Sequence, residues 1–220
     1  VSKVITGRLG PSALIGIQAV LIGLAIGLIL GILAAWKHNS GIDYFTMILA
    51  VLGVSVPNFV AAALLQYYIG LKWGVLPVGF WTGWNCSVLP SIALSFSATA
   101  MVARFMRTEM LDVLDQDYIV TARAKGLSQM KVLMRHAVRN SILPVVTILG
   151  PIVVNLMTVS LAVENIFSIP GIGSLFVDCI KANDYPVIMG VCLLSAVVVL
   201  AANLLTDILY ALVDPTIQLQ

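Results

Sequence analysis

Side chains equipped for catalysis are few in this 220-residue chain, and their placement suits no reaction. Both histidines, His38 and His136, fall between the apolar stretches. The Ser, Thr and Cys residues inside those stretches have no His or Asp at the same depth to activate them, which argues against an intramembrane hydrolase. A proton-driven carrier would need ionisable groups well inside a span, yet Glu164 and Asp207 sit at the ends of theirs. Cys86, Cys179 and Cys192 have neither metal-ligand nor disulfide-framework spacing, and no metal site is expected. No GxxxxGK[ST] phosphate loop occurs, so the chain is not expected to hydrolyse ATP. What is concentrated is positive charge. The segment TARAKGLSQMKVLMRHAVRNSILP, residues 121–144, holds five of the twelve Lys and Arg residues: Arg123, Lys125, Lys131, Arg135 and Arg139.

The elements that present this segment are membrane spans. The chain is 60% hydrophobic and only 10% charged, far from a soluble domain. Five charge-poor runs approach the roughly 20 residues that cross a bilayer: 12–36, 44–70, 87–103, 144–163 and 186–206. The third is the shortest and most polar. The expected architecture is all-α, a polytopic transmembrane helical bundle forming one domain over 1–220, with a loop at 104–143. Bases in short loops stay cytoplasmic. Lys37 with His38, and Arg104, Arg107 and the five bases above, lie in loops that five spans place on one side. That side is therefore expected to be cytoplasmic, together with the C-terminus, in a multi-pass protein of the cell membrane. Val1 then falls outside, and it is not Met; an upstream span is expected.

Within the spans, Gly23, Gly27 and Gly31 recur every four residues and open one helix face to close approach. Pro57 in SVPNF predicts a kink, which either hinges the bundle or only shapes it. Ser91, Ser95 and Thr99 form a polar stripe that must face protein or a wet cavity, so it suits helix packing or the lining of a solute path. Asn155 and Asn203 admit the same two uses. IFSIPGIGSLF, residues 166–176, is on its chemistry a turn-rich outer loop, and Glu164 beside it is a further candidate for the lining of a solute path. Cys86 and Cys179 fall on that same outer side, where a disulfide is conceivable.

The loop resolves into two short helices. Asp117 is the expected N-cap of a helix over Tyr118–Lys125, with acids at its start (Asp112, Asp115, Asp117) and bases at its end (Arg123, Lys125), as the helix dipole favours. Gly126 supplies a left-handed stop. Two turns are marginal alone, and the small Ala122 and Ala124 leave room for a partner. Ser128 is expected to cap the second helix, whose apolar face is Met130, Leu133, Met134, Ala137 and Val138, beside the basic stripe Lys131, Arg135 and Arg139. Pro144 suits the first turn of the next span. Such a loop lies in the lipid headgroup layer or docks on a soluble partner; without aromatic platforms it is not expected to bind nucleic acid.

Several stretches together resemble the ABC importer permeases, and within them the B-type membrane subunits of oligopeptide and dipeptide importers. The family's cytoplasmic motif is written EAA, three residues, Gly, and later Ile, one residue, Pro; Ala122, Gly126, Ile142 and Pro144 match it. Val120 and Thr121 stand where the family has Glu and Ala, although TARAKG is the form its peptide branch uses. SVPNF, VENIFSIPGIGSLF and the ending LVDPTIQ resemble the same branch. The resemblance implies six spans, the first preceding an external region upstream of this chain. It implies that Asp117, Tyr118, Ile119, Val120, Thr121, Ala122, Arg123, Ala124, Lys125 and Gly126 form the coupling helix that sits in a cleft of an ATPase subunit. Lys131, Arg135, Arg139 and Pro144 would belong to the arm that carries movement into the next span. The implied partners are a homologous second permease, two ATPase subunits that bind ATP and Mg, an extracytoplasmic substrate-binding protein and a peptide substrate. The alternatives are nickel or glutathione import by the same machinery, or an autonomous channel or secondary carrier.

Overall fold

The computed structural model describes residues 1–213, apart from the side chains of 158, 159 and 209–213. The LVDPTIQ ending from Asp214 onward lies outside the described residues. The described elements are helical: α1 (Ser2–Trp36), α2 (Gly41–Ser55), α3 (Asn58–Leu65) continued by a π-turn (Gln66–Lys72), α4 (Val88–Leu114), α5 (Asp117–Ala124), α6 (Gln129–Lys131) continued by a π-helical segment (Val132–Val138), α7 (Arg139–Thr147), α8 (Leu149–Ile166), α9 (Ile172–Ala182) and α10 (Tyr185–Val213). Among the described residues three stretches, Ser2–Trp36, Trp84–Leu114 and Tyr185–Ile208, are long and apolar enough to cross a membrane. Two bent pairs bring the number to five if each is one span.

The third run, the most polar in sequence, is the centre of the molecule. Leu89, Leu94, Val102, Met106 and Met110 of α4 are buried against Ile15 and Ala19 of α1 and Ile152, Leu156 and Val163 of α8. A helix walled in by other helices does not face lipid, so its serines carry no penalty there. Ser91 donates to Gln18 Oε1 (2.9 Å) and to the Ile15 carbonyl (3.3 Å) on α1, and Ser95 donates to the Ile92 carbonyl of its own helix (2.8 Å). Both are buried and Thr99 is half-buried, so in this structure the stripe packs helices. The glycine stripe meets it. A Cβ added at Gly23, Gly27 or Gly31 would lie 2.7 Å from Ala98 Cβ, Val102 Cβ or the Ala103 carbonyl oxygen, respectively. Only glycine permits this spacing of α1 on α4.

Two expected spans are bent. The 44–70 stretch breaks by 99° between α2 and the α3 limb. Pro57 has no N–H and forces the preceding Val56 into an extended conformation (φ −83°, ψ 117°). Asn58 then turns inward and donates from Nδ2 to Ser97 Oγ on α4 (3.1 Å). Pro144 does not open a span; it lies within α7, and the chain bends by 44° further on, between Thr147 and Leu149. Pro151 accounts for the position of this break, since it lacks the N–H that would bond the Thr147 carbonyl and fits the first turn of α8. Helix α4 also runs eleven residues past the expected span end at 103, to Leu114, and delivers the chain directly to α5.

Candidate functional site: the α5 loop and the two ends of the bundle

The loop from Asp115 to Thr147 lies beneath the ends of α1 and α4. Trp36 of α1, Leu114 of α4, Arg123 of α5, and Gln129, Val132 and Leu133 line one small cleft of about 60 Å3. The two basic loops therefore share one end of the bundle. Helix α5 is attached by a single face: Ile119 and Ala122 are buried with Val132 and pack on Val113 and Leu114. Asn140 Nδ2 adds a bond to the Tyr118 hydroxyl (2.8 Å). Asp117, Tyr118, Val120, Thr121, Arg123, Ala124, Lys125 and Gly126 are exposed, Val120 by 59%.

The ends of α5 follow from local chemistry. Gln116, not Asp117, holds the N-cap position, and Asp117 lies in the first turn, where its charge still faces the positive end of the helix dipole. At the other end, Gly126 N–H bonds the Arg123 carbonyl (3.0 Å) and Leu127 N–H bonds the Ala122 carbonyl (3.4 Å). With Gly126 at φ +78° this is a Schellman stop. Ser128 occupies the next N-cap position without a side-chain capping bond. The expected apolar face beyond it is only partly inward. Leu133 and Ala137 are buried, but Met130 and Met134 are about half exposed and Val132 is buried in their place. The π-helical pattern over Val132–Val138 shifts the register away from the 3.6-residue period on which that face was drawn. Lys131, Arg135 and Arg139 are exposed, and Pro144 is half-buried.

At the same end lies a cluster that no sequence spacing announced. Asp43, at the start of α2, is buried and receives Arg107 Nε on Oδ1 (2.6 Å) and Arg107 Nη2 on Oδ2 (2.7 Å). Asn39 N–H also donates to Oδ2 (3.0 Å), and His38 Nδ1 lies 3.3 Å from that oxygen. This two-pronged pair fastens the α1–α2 turn to α4, about two turns before the end of that helix. The partners are 64 residues apart, and Arg107 was legible only as one more loop base.

Glu164 marks the opposite end and does not face an open path. It is 1% exposed. Ser12 Oγ of α1 donates to its Oε1 (2.7 Å), and the Gly173 and Ser174 amides donate to its Oε2 (2.7 and 3.2 Å). Ser12 Oγ in turn accepts from Ile172 N–H (2.8 Å). Glu164 and Ser12 thus satisfy the free amides of the first turn of α9 and join α1, α8 and α9. The glycines of SIPGIGS belong to this arrangement, because a Cβ at Gly171 or Gly173 would run into the Glu164 carboxylate. Gln66 Nε2 holds the same end by donating to the Val78 and Ile166 carbonyls (2.6 and 2.9 Å). Cys86 and Cys179 are buried free thiols. Asn155 is exposed on α8, while Asn203 lies beside Gly150 where α10 meets α8.

Comparison with known proteins agrees with this architecture. An inward-facing structure of the MetNI methionine ABC transporter matches with a TM-score of 0.80 over 97% of each chain, at 15% identity. An amino acid ABC transporter with histidines matches at a TM-score of 0.74 over 95% of this chain and 94% of that one, at 17% identity. At such identities the likeness is one of fold. In sequence, the chain is 44% identical over its whole length to 72% of the dipeptide transport system permease protein DppB of Lactococcus lactis. It is 45% identical over 93% of its length to 67% of DppB of Bacillus subtilis, and 38% identical over 99% of its length to 72% of the oligopeptide transport system permease protein OppB of Salmonella typhimurium. Residues 27–219 match the family of binding-protein-dependent transport system inner membrane components, and the chain belongs to that family.

Proposed function

We propose that this chain is one of two membrane subunits of an ATP-driven peptide importer, with α5 as the helix through which separate ATPase subunits move it. The observation that carries the reading is the state of α5: two turns long, with Ile119 and Ala122 as its buried anchors and one bond from Asn140 to Tyr118, and bare on its other side. A helix this short needs a second surface to be rigid, and on and just after it Val120, Leu127, Met130 and Met134 are exposed apolar side chains, with Arg123 and Lys125 exposed among them. The names of the relatives support dipeptides or oligopeptides as cargo.

In this reading the α5 end and the C-terminus are cytoplasmic, as the concentration of bases there supports. ATP and Mg bind the ATPase subunits, and a binding protein delivers peptide at the Glu164 end. Nucleotide biases a two-state bundle between inward and outward forms. Movement enters through α5, passes to α4 at Leu114, and reaches α8 through the arm bearing Lys131, Arg135, Arg139 and Pro144. The right-angle break at Pro57 serves as a hinge tied to α4 by Asn58. Asn155 is the exposed polar side chain assigned to the pathway wall. The test is the reconstituted complex carrying Gly126→Val. A Cβ at Gly126 meets open space, so the substitution acts on the left-handed turn alone, at roughly 1–2 kcal/mol. Expected is an assembled complex that loses ATP-dependent uptake of labelled dipeptide and peptide-stimulated ATP hydrolysis; retention of both contradicts the assignment. Nickel uptake by the wild-type complex in place of dipeptide would contradict the cargo.

A further inference from the structure

Among the described residues, Arg107 is the one base of the central loop held in an ion pair. Arg135 and Arg139 are exposed, and neither takes part in the ion pairs found among the described residues. With His136, Asn140, Ile142 and Leu143 they line an open cleft of about 500 Å3 that contains no acidic side chain. The opposite face of the same helical stretch is already occupied: Ala137 is buried, and Ser141 donates to the Ala137 and Glu109 carbonyls (2.9 and 3.3 Å). The cleft therefore opens away from the bundle.

Its chemistry changes along its length. Arg135 and Arg139 sit one turn apart at the loop end, and the half-buried Ile142 and Leu143 follow where the chain enters its fourth apolar run. A free anion would use the guanidiniums and gain nothing from the apolar residues, and an acidic protein surface would desolvate against them. A phospholipid uses both, with its phosphate held by forked N–H groups and the start of its acyl chains lying over Ile142 and Leu143. Basic pockets beside membrane helices on the cytoplasmic side are suited to anionic headgroups. We infer that the Arg135–Arg139 cleft is a binding site for an anionic phospholipid of the cytoplasmic leaflet, which pins the arm between α5 and α8 to the membrane surface. The inference rests on the proposed function only for the identity of the leaflet.

The intact complex, purified in detergent, is offered dioleoyl phosphatidylglycerol or dioleoyl phosphatidylcholine, and the lipid retained is measured by native mass spectrometry. Phosphatidylglycerol is expected to be retained over phosphatidylcholine. Arg135→Gln with Arg139→Gln should lower its apparent affinity roughly thirtyfold, and each single variant about fivefold. Arg135→Lys with Arg139→Lys, which keeps the charge and loses the fork, should fall between wild type and the Gln pair, while Lys37→Gln, at the same end of the bundle, should change nothing. Should the Gln pair fail to assemble, the single variants carry the test. Wild-type retention in the Gln variants overturns the site, and an equal loss in Lys37→Gln reduces it to diffuse charge. Displacement by millimolar inorganic phosphate or by an acidic peptide would make it a site for soluble anions and overturn it too. The readout is retained lipid rather than uptake, so this site and the transport role can fail separately.

Discussion

Glu164 illustrates how a single residue can be found by sequence and still be misjudged. Its position at a span end marked it out, but its partners, Ser12 and the amides of Gly173 and Ser174, lie up to 152 residues away. Read alone, a carboxylate beside a turn-rich loop suggests contact with a ligand; with its acceptors filled it holds the first turn of α9. Glu164→Ala should leave those donors unmatched and destabilise this end by about 1–3 kcal/mol, seen as faster hydrogen exchange at residues 172–174. Glu164→Gln keeps an acceptor oxygen and should cost less; equal exchange in wild type and the Ala variant would show that the contacts carry no energy. Asp43 and Arg107 were missed for the same reason, since nothing local pairs an acid at a helix start with a base 64 residues on. Breaking a pair with one member this deeply buried costs about 3 kcal/mol. Asp43→Asn or Arg107→Gln alone should thus lower the melting temperature of the purified complex clearly, and the double variant should fall short of the sum.

At the scale of elements, small-residue stripes were a reliable guide, helical periodicity failed where the helix is π, and proline was a guide to where but not always to what. The four-residue spacing of Gly23, Gly27 and Gly31 identified a packing face correctly, and the structure supplies its partner, α4. Gly27→Leu should push α1 off α4 and prevent stable assembly, because the nearest atoms are the Val102 side chain and the Thr99 carbonyl oxygen. Gly16→Ala, on the same helix with open space around it, should leave assembly intact and, through helix propensity, raise stability by up to about 1 kcal/mol; a loss similar to that of Gly27→Leu would refute the packing account. Pro57 marked a break of 99°, and beyond it Asn58 turns in to Ser97, a contact no local rule gives. Met130 and Met134 were drawn inward on an α-helical period that the π-helical segment does not keep. The polarity of the third run weakened it as a lipid-facing span, and the same polarity fits a helix enclosed by its neighbours.

For the molecule as a whole, both ends are tied by buried polar contacts, and the α5 end also leaves an exposed working surface. Asp43–Arg107 holds α1–α2 to α4 there, while Glu164 and Ser12 close the other end onto α9. Between them α4 runs unbroken from Val88 to Leu114, so displacement of α5 has a stiff route into the core. The central claim is that the bare side of α5 is covered by an ATPase subunit. The most direct measurement is disulfide cross-linking of Val120→Cys, in a Cys192→Ala background, to engineered cysteines in the ATPase subunit within the membrane-embedded complex. The account predicts a cross-linked product of this chain with the ATPase subunit, and no labelling of that position in intact cells by a membrane-impermeant maleimide. Labelling from the cell exterior, or a complex that hydrolyses ATP in response to peptide yet yields no cross-link along the exposed face of α5, would contradict it.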